Sequence, residues 1–240
     1  MTRVPRSALC VLLALAWVPS TARAGTWQPL TIGTRWEYRG VGGAHQVETI
    51  TGQTIVRGRV VSVKSYAEGD DAGLQNYWLL DADGSVLLAG FNNPTTATAW
   101  VYEPPIRYLP VPPVVGEQPF QSVEVHDLFT DALVFVDNFR FDVTEEVTLT
   151  LPAGSFHAFG VGRLTPLPGP AIAKGGGMTL DGRRLPAADP SIYITDTTDW
   201  YSEDTGVVQY KTGDLYQLAG FGLPTPTAKS SWAAIKRLYH

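Results

Sequence analysis

The chain has 240 residues, with 18 Lys and Arg against 23 Asp and Glu, a formal net charge of −5, 44% apolar residues and 17% charged ones. This composition supports a packed core and excludes wholesale disorder; with no basic run to meet phosphates, it also argues against a nucleic-acid partner. Ten Tyr, nine Phe and seven Trp against two Met favour strands over helices.

Met1 to Arg6 carries two arginines, Ala8 to Val18 is an unbroken apolar run, and Ala22-Arg23-Ala24 sets small residues at −3 and −1 of a cleavage site. This predicts a secretory signal peptide over 1–24, cleaved near Ala24, and an extracytoplasmic protein, periplasmic or secreted. The run is shorter than the roughly 20 apolar residues that span a bilayer, and no later stretch qualifies, so a membrane-spanning chain is not expected. Cys10 lies inside the run behind Leu9, where a lipid anchor is not attached. Cleavage removes Arg3, Arg6, Arg23 and the only cysteine, and no acid, moving the charge from −5 to −8 over 216 residues. The expected mature unit is one β-rich domain, 25–240, held by its core without disulfides and without thiol or cysteine-metal chemistry.

Alternation of period two then recurs along the chain. It marks strands at Val47–Val56, Arg59–Tyr66, Val86–Phe91, Phe156–Arg163, Ile192–Tyr201 and Val207–Leu218. It is longest from Phe139, where Phe139, Phe141, Val143, Val147 and Leu149 share one face. Asp81-Ala82-Asp83-Gly84, Arg57-Gly58, Asp137-Asn138 and Thr212-Gly213-Asp214 have turn composition. Glu103 to Phe120 holds six prolines, which excludes a central strand and predicts an extended surface connection over 103–120. A Gly/Pro-rich loop is expected over 165–190. Only Ser230–Tyr239 has helical spacing, at Trp232, Ile235, Lys236 and Tyr239.

The mature chain opens with Pro29-Leu30, a turn at Gly33 and Trp36-Glu37-Tyr38. Midway come Tyr102-Glu103-Pro104-Pro105-Ile106, Leu109-Pro110-Val111-Pro112 and Val115-Gly116. Later follow Leu151-Pro152-Ala153-Gly154-Ser155-Phe156 and Trp200-Tyr201-Ser202-Glu203-Asp204-Thr205-Gly206-Val207-Val208. In this order the segments resemble a group of uncharacterised exported bacterial β-rich proteins. The resemblance runs from about Trp27 to Leu218 and implies an antiparallel, strongly curved sheet or incomplete barrel. It brings no activity, cofactor or catalytic residue. The fold class expected is all-β, or β-dominated with a short C-terminal helix.

Motifs for chemistry are scarce. There is no Gly-x-Ser-x-Gly elbow, and Lys174-Gly175-Gly176-Gly177 lacks the ending of a phosphate loop. His45, His126, His157 and His240 have no i, i+4 partners. Asp81-Ala82-Asp83-Gly84 opens like a calcium loop, but its twelfth position is Asn92 rather than a bidentate Glu. Asp70-Asp71 and Glu203-Asp204 sit among turn residues and are expected to face solvent, with weak binding of a divalent cation as the alternative.

Glu145 breaks the pattern of its strand. It is either a buried carboxylate lining a ligand cavity or the sign of a bulge at Glu145-Glu146 or of a sheet end open to water. The pairs Trp36/Tyr38, Trp100/Tyr102 and Phe139/Phe141, with Trp200 beside Tyr201, put broad rings on common faces, as core or as the lining of a concave pocket. These features lead to an exported, non-enzymatic protein that binds a hydrophobic or amphipathic molecule, such as a lipid or glycan, or an envelope component. The candidate cavity is Trp36, Tyr38, Trp100, Tyr102, Glu145 and Trp200, without metal, cofactor or catalytic residues. The alternative is an envelope interaction module that joins a protein partner through a sheet edge or through Pro104–Pro113. An enzyme using Glu145 and Asp199 is the weakest of the three.

Overall fold

The computed structural model describes residues 25–166, 193–212 and 214–224. The expected signal segment 1–24, all but the first two residues of the 165–190 loop, and the Ser230–Tyr239 periodicity lie outside the described residues. Among the described residues thirteen strands follow one another: β1 Arg35–Gly40, β2 His45–Val56, β3 Arg59–Glu68, β4 Gln75–Leu80, β5 Val86–Asn93, β6 Thr98–Leu109, β7 Gln121–Asp127, β8 Leu133–Phe139, β9 Phe141–Leu151, β10 Gly154–Pro166, β11 Tyr193–Ser202, β12 Gly206–Thr212 and β13 Asp214–Gly222. There is no helix among the described residues, and so none long and apolar enough to cross a membrane.

All strands pair antiparallel in one sheet, in the order β8-β7-β6-β5-β4-β3-β2-β1-β13-β12-β11-β10-β9. The sheet is not closed into a barrel, in keeping with the curved, all-β fold expected. Its two edges, β8 and β9, are nevertheless neighbours in the chain, separated by Arg140 alone. A sheet of this width whose first and last strands are joined by one residue must curl back on itself. Bulges supply the bending: the register shifts at Glu37/Tyr38, Trp200/Tyr201 and Gly160/Val161, among others, and each adds local twist. Gly90 allows a close approach of neighbouring backbone, since a Cβ there would lie 2.3 Å from the Trp100 carbonyl oxygen.

Two expectations are corrected. The alternation from Phe139 is not one strand: Phe139 ends β8 and Phe141 begins β9, so a single period-two run spans both edges of the sheet. The proline-rich stretch is not merely a surface connection either. Pro104 and Pro105 lie within β6, an interior strand between β5 and β7. The missing N–H groups are accommodated because Tyr102–Pro105 is set against Ala89 alone in the β5 ladder, while pairing with β7 stops at Glu103. Beyond that point the Gln121 side chain stands in for a strand, accepting from the Arg107 N–H at 2.7 Å and donating to its carbonyl at 2.9 Å. Ile106 and Leu109 are buried.

Arg140 ties the seam. It donates through Nε and Nη2 to Asp142, at 3.2 and 2.8 Å, and its Nη1 lies 3.2 Å from Glu117 in the β6–β7 connection. That connection also bridges to β9 at Gly116 and Val143, and the Gln118 N–H donates to Asp142 at 2.9 Å. It therefore covers part of the β9 edge, which otherwise invites intermolecular pairing.

The main core fills the concave side, with Trp36, Tyr38, Ile50, Tyr201, Tyr216 and Leu218 among its most deeply buried members. A smaller cluster, Val56, Val61, Tyr77, Ala89 and Val101, packs separately. Tyr77 and Trp78 are adjacent yet belong to different clusters, as alternation across a strand requires.

Candidate functional site

The curl of the sheet brings β2 and β3 to face β11 and β12 across its interior. Glu48 comes from β2, Lys64 and Tyr66 from β3, Asp199 from β11 and Tyr210 from β12. With Asp71 from the β3–β4 connection they surround a cavity of about 100 Å³. Val207 and Thr212 complete the lining; Thr212 is exposed and Asp71 half-buried, so the cavity reaches water on that side.

Lys64 is the centre of this arrangement. Its ammonium lies 2.7 Å from the Glu48 carboxylate and over three rings: Tyr66 at 5.3 Å, Trp78 at 5.6 Å and Trp36 at 5.8 Å. The register explains the convergence, since Trp36 pairs with Glu48, Glu48 with Tyr66, and Ser62, two residues before Lys64, with Trp78. Four adjacent strands thus place one cation, one anion and three aromatic faces side by side. Cation–π contacts of this kind contribute about 0.5–2 kcal/mol, more when water is excluded.

Opposite stands Asp199, which accepts a hydrogen bond from the Tyr108 hydroxyl of β6. Seven strands separate β6 from β11 in the sheet, so this bond spans the interior. Burial lifts the Asp199 carboxyl from the ordinary 3.8 to about 6, against the opposing pull of the Tyr108 hydroxyl and of Lys64. Burial also raises the Asp71 carboxyl, opposed by a hydrogen bond from Gln46. It pushes the Tyr66 and Tyr108 hydroxyls well above their usual range, which keeps both protonated as donors. Tyr210, 5% exposed, stacks on Tyr216 and meets Tyr38 edge-on, and its buried hydroxyl has no hydrogen-bond partner among the described residues.

The six residues singled out from the sequence fall into three places. Trp36 and Tyr38 pack against residues of the cavity without lining it: Trp36 flanks the Lys64 ammonium, and Tyr38 packs on Tyr210 while donating to the Val207 carbonyl at 2.9 Å. Trp100 and Tyr102 join a separate aromatic group near the β8 edge, where Phe91 touches both rings, Phe135 meets Trp100 and Phe139 meets Tyr102. Glu145 and Trp200 find each other, the indole Nε1 donating to the carboxylate at 2.8 Å. Glu145 is half-buried beside a bulge, since the step from Val143 to Glu145 faces only the step from Val161 to Gly160.

The residues that carry the cavity, Glu48, Lys64, Asp71 and Tyr210, were not legible as site residues. In β3 the apolar Val61 and Val63 share a face, and an ordinary half-buried strand would give Lys64, on the other, to water. In this strand both faces are covered. Asp70 and Asp71, expected to face solvent, both turn to partners: Asp71 lines the cavity, and Asp70, though exposed, accepts from the Tyr216 hydroxyl at 2.7 Å. Elsewhere, Asp81 and Asp83 form the β4–β5 hairpin turn and pair with Arg107. His45, His126 and His157 each meet a single glutamate. No group of three metal-ligating side chains converges among the described residues.

No family model matches the chain, and no curated protein matches it. Among solved structures it is similar to the crystal structure of a candidate lipoprotein from Parabacteroides distasonis, with 13% identity over 83% of this chain and 99% of that one and a TM-score of 0.35.

Proposed function

We propose that the protein is an exported, non-enzymatic binding protein that takes the polar end of a small amphipathic molecule into the concave side of its sheet. The observation that carries this reading is the cavity between β2–β3 and β11–β12. Fixed charges and the rings of Tyr66 and Tyr210 converge on about 100 Å³ that reaches water beside Thr212. Binding sites combine apolar walls with a few convergent polar groups. The volume is well below the 300 Å³ or more of sites that enclose drug-sized ligands, so the cavity receives a head group while any tail lies outside it. Native mass spectrometry of the protein, purified without denaturation from its own source, tests this. The reading expects a bound small-molecule mass that is absent from a Tyr210→Trp variant of unchanged circular dichroism. Repeated recovery of the bare polypeptide would count against it.

A second reading, a module that joins an envelope partner by strand addition, is favoured by one feature. Edge strand β8 exposes Leu133, Val134 and Val136, and its far side pairs with no strand among the described residues. Pro104–Pro113 supports this reading less, because the segment is built into β6 and its continuation. Crosslinking in intact cells from a probe at Val134 would reveal one dominant partner if the edge is used, and none if it is not.

A further inference from the structure

We infer that the group recognised in the cavity is a cation, an ammonium carried by the ligand. The inference rests on the binding role proposed above and names its ligand class. Three carboxylates, Glu48, Asp71 and Asp199, line the space, and its only basic side chain is Lys64. Glu48 already holds that ammonium at 2.7 Å, so two carboxylates remain with no cation of their own; Lys64 acts on both only at longer range.

An independent observation points the same way. Tyr210 lines the same space as Asp199, and the two residues are paired across β11 and β12. A tyrosine ring beside a carboxylate offers an ammonium both a π face and a counter-charge. Lys64 demonstrates the chemistry in place, since its own ammonium is held by one carboxylate and three rings. An anion would meet the excess of negative charge, and a neutral alcohol would leave it uncompensated. A metal ion would need oxygens gathered at about 2–2.6 Å, and no such group of side chains is present among the described residues.

The volume corresponds to about three waters at roughly 30 Å³ each, enough for an ammonium and one or two carbons. Ethylammonium is therefore the probe, with propionate and propanol as isosteres of opposite and zero charge and calcium as the metal control. So few atoms bind weakly, with a dissociation constant on the order of millimolar. Calorimetric titration of the full chain at pH 7 should show saturable binding of ethylammonium alone. Asp199→Asn and Asp71→Asn should each weaken it by about tenfold or more. Because a variant can misfold, the wild-type protein supplies a second readout. Asp199 lies among Tyr108, Tyr210, Tyr66, Lys64, Glu48 and Asp71, and burial lifts its carboxyl to about 6, so ethylammonium binding should fall as pH drops from 7 to 5. Propionate, propanol or calcium binding in place of ethylammonium would overturn the cation assignment and leave the cavity as a site. Failure of every probe, together with absence of a bound mass in the native spectrum, would overturn both.

Discussion

Lys64 Nζ stands 2.7 Å from Glu48 Oε2, and the two side chains keep only 5% and 3% of their surface in water. Taking both charges out of water costs several kcal/mol per ion, repaid only while each has the other. The aromatic rings around the ammonium add to the repayment. This pair joins β2 to β3 in the wall of the cavity.

Breaking the pair should therefore cost far more than replacing it. Glu48→Gln is expected to lower the free energy of unfolding by about 3–5 kcal/mol, because the ammonium stays buried without its counter-charge. The double change Glu48→Leu with Lys64→Met should return to within about 1 kcal/mol of the wild type. Urea unfolding measures both; equal losses in the single and double variants would show that the pair is not desolvated.

Asp199 makes stability depend on pH in a defined window. Folding raises its carboxyl from 3.8 to about 6, so the folded chain holds the proton more tightly than the unfolded one. The stabilising contribution is fully present below the unfolded value and is lost as pH rises through about 6. Glu103, held low chiefly by its hydrogen bonds from Arg59, and Asp127, held low by Thr130, act in the opposite sense, and only below the ordinary carboxylate range. Denaturation midpoints from pH 4 to 7 should therefore fall more steeply in the wild type than in Asp199→Asn. Parallel curves would remove Asp199 from the account.

The strand grammar was legible because alternation and turn residues act locally. The segments at Val47–Val56, Arg59–Tyr66 and Val86–Phe91 became β2, β3 and β5 with small changes at their ends. What could not be read was what the far face of each strand meets. Lys64 looks like a solvent-side residue until the curl of the sheet turns that side inward, and the edges on either side of Arg140 are invisible in an unbroken alternation. Pro104 and Pro105 mislead for a related reason: proline is excluded from a regular ladder, and β6 is irregular at that point.

The seam should respond to Arg140. Its side chain is 12% exposed and joins Asp142 to Glu117 across the junction of the two edges. Arg140→Met is expected to cost about 1–3 kcal/mol by removing the guanidinium from the buried Asp142 carboxylate. Hydrogen exchange should quicken first at Gly116 and Val143, the bridge beside it. Unchanged protection there would place the closure of the curl elsewhere.

Glu145 and Trp200 yield a different expectation. Glu145→Gln weakens one charge-assisted hydrogen bond from the indole, with an expected loss of about 1–2 kcal/mol. Ethylammonium binding should stay within a factor of two, since neither residue lines the cavity between Glu48 and Asp199. A large loss of binding with stability intact would return Glu145 to the site.

The most direct test is a spectrum of the protein with its tyrosine rings isotopically labelled, recorded while ethylammonium is added at pH 7. The rings of Tyr66 and Tyr210, which line the cavity, are predicted to shift and saturate together, while Tyr77, in the separate cluster with Val61 and Val101, stays still. Saturable binding that moves Tyr77 and leaves Tyr66 and Tyr210 unchanged, or no movement of any ring, would contradict a ligand site in the concave interior.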